Sequence, residues 1–292
     1  MGTSTPFGGG SGKNPLIPTW LDDSDGAAPA AVPPSDGPAN GTSSDNDAVD
    51  GSPPPSDGGT ISPLDNRFKQ PRTSFNKFAR SGGSDRRNLG RAVASYVSRA
   101  GGGSKIAARR MSSDRAAAGR LGTLLSEAGQ SGIREVLRTL NLDALADRSI
   151  PEIYASLVDV VCAPGGDLDE AFPRDAYLEA VAEVLDMDLA DMEKPSPETI
   201  VLIMERFIAN TIRARILNAI GNQVITLPKN VATVKAIDIA FREFVRGAVS
   251  DALNEVGRVL NSAQMKTITD SLYDRSLSVL QVYAEAMAEE CP

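Results

Sequence analysis

From Ser196 onward large apolar residues recur at intervals of three and four, the spacing that brings side chains to one face of an α-helix. The cleanest stripe is Ile200, Ile203, Met204, Phe207, Ile208, Ile212, Ile216 and Ile220, with Ser196-Pro197 as a start and Gly221-Asn222 as a stop. After Thr226-Leu227-Pro228 a second long helix is marked by Val231, Val234, Ile237, Phe241, Phe244, Val245, Val249, Leu253, Val256 and Leu260, weakened by Gly247 and Gly257. Ser262 caps a third, with Met265, Ile268, Leu272, Val279, Leu280, Tyr283 and Met287 facing inward. None can bury its stripe alone, and the joints are short, so an antiparallel bundle is expected.

The same period runs upstream. Ile133, Val136, Leu137 and Leu140 share a face, Ser149 caps a segment holding Ile153, Leu157, Val158 and Val161, and Asp167 or Asp169 opens one holding Tyr177, Val181, Val184 and Leu185. Leu89, Val93, Tyr96 and Val97 form a further stripe that ends at Gly101-Gly102-Gly103. Ser104 and Ser113 are candidate caps for the segments that follow. Strand-like alternation is sustained nowhere. The fold class expected is all-α, with a C-terminal helical bundle over residues 129–292.

The pattern fails in the first 66 residues. Between Leu21 and Ile61 the only large aliphatic residues are Val32 and Val49. Such a segment cannot offset an ordering cost of roughly 1–2 kcal/mol per residue, so a disordered tail is expected. Two islands interrupt it: Met1 to Gly10, and Pro15-Leu16-Ile17-Pro18-Thr19-Trp20-Leu21, which holds the only Trp. An apolar cluster with a Trp in so polar a tail reads as a docking segment.

Charge divides the chain at the same places. Residues 1–66 carry one Lys and nine Asp; residues 67–120 carry 14 Lys/Arg against two Asp; residues 121–292 carry 15 Lys/Arg against 27 Asp/Glu. The net charges are −8, +12 and −12, which sum to the −8 of the whole chain. Residues 67–128 are expected to be a basic, partly helical connector. Its arginines, Arg86, Arg87, Arg109 and Arg110 among them, interleave with Phe68, Phe75 and Phe78 and suit phosphate contact with base stacking. They equally suit carboxylates, within the chain or on a partner.

Composition removes most catalytic templates. Histidine is absent, and with it the commonest general base and transition-metal ligand. Cys162 sits in an apolar run and Cys291 far from it in sequence, next to the last residue, so neither a disulfide framework nor a metal site is expected, and a reduced cytoplasmic setting is. No apolar run approaches the roughly 18–20 residues of a membrane span, and no signal peptide is evident at the start. Gly8-Gly9-Gly10-Ser11-Gly12-Lys13-Asn14 departs from a phosphate loop, with Phe7 at the leading Gly and Asn14 at the Ser/Thr position. Catalytic, metal and cofactor sites are therefore not expected in this chain.

Several stretches carry a resemblance. Met1-Gly2-Thr3-Ser4-Thr5, Phe7-Gly8-Gly9, Pro15 to Leu21, Phe75 to Arg87, Leu137 to Leu142, Ile225 to Pro228 and Phe244 to Ala252 are similar to the QatB family. The resemblance implies a place in the Qat anti-phage defence system, beside an ATPase (QatA), a QueC-like protein (QatC) and a TatD-like nuclease (QatD). QueC enzymes activate a deazaguanine carboxylate with ATP and pass it to ammonia. The expectation drawn is that Gly2, freed by removal of Met1, is an acceptor amine for the QueC-like partner. Thr3, Ser4, Thr5, Phe7 and Gly8 would line the entry, with Pro15, Leu16, Ile17, Pro18, Trp20 and Leu21 as the outer anchor. A tether without modification and a nucleic-acid adaptor for the nuclease are the alternatives.

Overall fold

The computed structural model describes residues 63–162, 168–186, 192–221, 227–256 and 264–289. Among them all regular structure is helical, in eleven α-helices with one π-helical and one 3₁₀ turn. The tail positions named above lie outside the described residues, as do Asp167, Thr226, Gly257, Leu260, Ser262 and Cys291.

Three long helices match the stripes: α9 (Pro197–Gly221), α10 (Val231–Val256) and α11 (Met265–Glu289). Helix α9 starts where Ser196 accepts the amide of Thr199 at 3.2 Å, which supplies one of the orphan donors of a first turn. Ion pairs fix how the helices run. Arg213 of α9 meets Asp238 of α10, and Arg206 shares Glu183 of α8 (Leu168–Asp186) with Arg242 and Arg246 of α10. As one helix advances the other retreats, so α9 and α10 are antiparallel. Asp251 with Tyr283, and Glu255 with Arg275, give the same sense for α10 and α11.

Residues 63–131 contribute four helices to this same core. These are α1 (Pro63–Arg80), α2 (Arg86–Ser95), α3 (Ser104–Arg109) and α4 (Ser112–Ser131). In place of a connector beside a bundle, Phe75 and Phe78 are buried in α1, and Phe75 meets Phe241 of α10 edge to face at 5.7 Å. Helix α4 packs into the core with Leu121, Leu124 and Leu125 buried, and the boundary drawn between 128 and 129 falls within it. The described residues fall in one compact unit accordingly.

Helices α1 and α2 form a hairpin whose turn holds Gly82 and Gly83 at φ of 70° and 89°, a left-handed backbone that closes α1 with bonds back to Ala79 and Phe78. Helix α2 then lies so close to α11 that a Cβ at Gly90 would stand 2.7 Å from the carbonyl oxygen of Ala284. Two sequence expectations about caps are revised. Ser104 is the first helical residue of α3 with no side-chain cap, and Ser113 lies inside α4, where its hydroxyl donates to the carbonyl of Asp169. Ser149 does cap α6 (Ile150–Ser156), reciprocally with Glu152.

The remaining short helices, α5 (Ile133–Thr139) and α7 (Val158–Val161), pack on the flank of α4. Buried tyrosines tie the interior, each with its hydroxyl satisfied. Tyr154 donates to Met192, Tyr177 donates to Tyr154, and Tyr273 meets Thr211 at 2.8 Å. No described helix is long and apolar enough to cross a membrane.

Candidate functional site

The charged residues separate into two populations. From 121 onward every described arginine, ten in all from Arg134 to Arg275, sits in an ion pair. Among the 14 Lys and Arg of residues 67–120, Arg115 alone meets a carboxylate of the described residues, Asp270 at 2.8 Å. The others bond neutral groups or face solvent. Arg87 donates to the carbonyl of Ala288 and Arg110 to that of Ala100. Arg86 and Arg109 are exposed. The four arginines singled out from the sequence therefore do not converge: Arg86 and Arg87 open α2, while Arg109 and Arg110 end α3.

The aromatic half of that expectation is corrected. Phe75 and Phe78 are 2% and 0% exposed, so neither can stack on a base. Phe68 is half-buried beneath the guanidinium groups of Arg67 and Arg72, at 5.8 and 5.4 Å. Burial is favoured here because each Phe sits on the inward face of α1, at the helical spacing of Pro71, Ser74, Phe75, Phe78 and Ala79.

A second feature, unforeseen from the sequence, is a buried charge cluster joining α4, α8 and α9. Asp114 is fully buried and accepts from Nε of Arg215 at 2.7 Å. Arg215 also engages Asp169 and the Ser113 hydroxyl and stacks over Phe172 at 4.5 Å. Burial pushes the Asp114 carboxyl up to about 6, against the pull of Arg215. Its Oδ1 has no partner among the described residues. This arrangement locks three helices together. Sequence spacing gave no signal for it, because its members lie 55 and 46 residues apart.

Beside it an open cavity of about 830 Å³ lies between α4, α5, α7 and the start of α11. Arg115, Arg120, Lys266, Glu127 and Asp270 supply its polar lining, and Leu124, Leu140, Val160 and Met265 its apolar one. Cys162 is buried, and burial pushes its thiol up to about 11, so at neutral pH it is a protonated core side chain. Among the described residues no group of three His, Cys, Asp or Glu is placed to hold a metal ion.

Residues 102–280 match the family model of QatB, the Qat anti-phage system associated protein. That span exceeds half of the 292-residue chain. The chain belongs to the QatB family. It is thus a component of the Qat anti-phage defence system. No curated protein and no solved structure matches the chain. The QatB match opens at the glycine triplet before α3 and ends within α11, so it takes in the Asp114–Arg215 cluster and the cavity while α1 and α2 precede it.

Proposed function

We propose that this QatB-family chain serves defence as a protein substrate, presenting Gly2 to the QueC-like component QatC and carrying the helical domain behind it. The observation that carries the reading is the opening itself. Met1-Gly2-Thr3-Ser4-Thr5-Pro6-Phe7, which ends on Phe7, and the apolar Pro15 to Leu21, which holds the only Trp, stand out in an otherwise apolar-poor segment of net −8. Family membership supports the setting. A glycine α-amine has no Cβ to obstruct a narrow channel, and with a pKa near 8 roughly a tenth of it is the neutral nucleophile at pH 7.

The step is an acyl transfer. The amine attacks the carbonyl carbon of the activated deazaguanine carboxylate, an amide forms, the activating group departs and the amine loses a proton. Thr3, Ser4, Thr5, Phe7 and Gly8 line the entry and Pro15 to Leu21 anchors outside it. In this reading the chain itself is not an enzyme.

The test is the intact mass and N-terminal peptide mass of the chain expressed with and without QatC under conditions that supply the deazaguanine precursor. Added mass on Gly2 that depends on QatC, and is lost in a Gly2→Pro variant that still binds, is the expected result. Unmodified Gly2 in a stable complex with QatC would replace the substrate reading with that of a tether.

A further inference from the structure

The outward face of α1 is a stripe of Asn66, Lys69, Gln70, Thr73, Lys77 and Arg80, all exposed and recurring at helical spacing. Arg99 is hydrogen-bonded to Gln70, which brings the π-helical turn onto the same face. Across the glycine turn Arg86, at the start of α2, is also exposed. Lys69, Lys77, Arg80, Arg86 and Arg99 make no ion pair with any described residue. The only acidic residue between 66 and 113 is Asp85, and its carboxylate is spent on capping α2, accepting from the backbone and side chain of Asn88. Lys69, Lys77 and Arg80 thus lie along a helix of 18 residues, about 27 Å long, whose one acidic residue is Asp65 in its first turn, while Arg86 and Arg99 stand on the elements that follow.

We infer that this face binds the phosphate backbone of duplex nucleic acid without reading its sequence. Two observations favour that occupant over an acidic protein. Exposed large apolar side chains occur on other elements, Ile106, Leu140, Leu178, Val231, Ile239 and Val282 among them, but none of the described side chains of α1 from Asn66 onward or of α2 is one. A protein interface needs a buried apolar or aromatic centre, whereas a backbone-tracking surface is polar and positive throughout. Phe75 and Phe78 are buried and Phe68 is half-buried with Arg67 and Arg72 over its ring, which weakens the case for base stacking on a single strand and favours phosphate contact.

The experiment is fluorescence anisotropy of the full chain with a labelled random-sequence duplex of about 20 base pairs, titrated at several salt concentrations from about 50 to 200 mM. The variant is Lys69→Gln/Lys77→Gln/Arg80→Gln, at exposed positions with no ion pair to a described side chain; Arg138→Gln/Arg148→Gln, exposed on and beyond α5, is the control. The wild type is expected to bind with an affinity that falls as salt rises. The triple variant should bind at least about tenfold more weakly, with a log–log salt slope shallower by about 2 to 3, while the control binds nearly as the wild type does. Absence of duplex binding at the lowest salt, equal binding by the triple variant, or equally tight binding of a poly-glutamate chain would overturn the assignment.

Discussion

Helices α1 and α10 are both amphipathic, and both carry basic residues beside a face of buried apolar side chains, yet they use those charges differently. On α10, Arg242 is held by Glu179, Glu183 and Asp238, and Arg246 by Glu183. On α1, Lys69, Lys77 and Arg80 form no ion pair with any described side chain. A half-buried arginine between three helices must be paired, since a desolvated charge without a partner is costly. An exposed lysine is solvated by water and needs none. The difference teaches that the first kind of charge is part of the fold, whereas the second is available to another molecule.

The sharpest way to break that comparison is to attack the inward face of α1. If α1 is integral to the core, Phe78→Ala should cost about 4 kcal/mol of unfolding free energy by urea denaturation. A loss under about 1 kcal/mol would return α1 to the status of a loose connector. Next in size is the buried cluster. Asp114→Ala leaves Arg215 half-buried with Asp169 as its remaining carboxylate, and should cost about 3 kcal/mol in the same assay.

The same aspartate sets a pH dependence of smaller size. Its folded pKa is raised to about 6 from 3.8, so between those values the folded state holds a proton that the unfolded state has lost. Stability from this group therefore grows as pH falls through 6 and is absent above it. Lowering the pH from 7 to 5 should add about 1 kcal/mol in the wild type relative to Asp114→Asn, measured by urea denaturation at each pH.

How much of this was legible in the sequence follows the same physical division. Helix α9 was readable nearly to the residue, because Ile at intervals of three and four leaves little else to fold into and Ser196-Pro197 marks a start; α11 was readable as a helix with Met265, Leu272, Val279 and Leu280 inward, but Tyr283, expected inward, is exposed. Helix α1 was not readable as core. Its inward face is short, broken by Pro71, and set in a strongly basic stretch, so Phe75 and Phe78 passed for surface aromatics. The Asp114–Arg215 pair joins residues 101 apart, and a long-range contact between single polar residues leaves no local pattern. The cavity is likewise formed by four elements that only packing brings together. The tail residues Gly2 to Leu21 were legible as composition and as family resemblance, and lie outside the described residues.

The smallest expected effect is the most direct test of the division itself. Urea is uncharged and leaves ion pairs unscreened, so urea denaturation of the Lys69→Gln/Lys77→Gln/Arg80→Gln chain reads whether those charges hold the fold. The account predicts a stability within about 0.5 kcal/mol of the wild type, unchanged or slightly higher because mutual repulsion is relieved. A loss above about 1 kcal/mol would show that these side chains are paired within the chain after all, and would contradict their assignment to a partner.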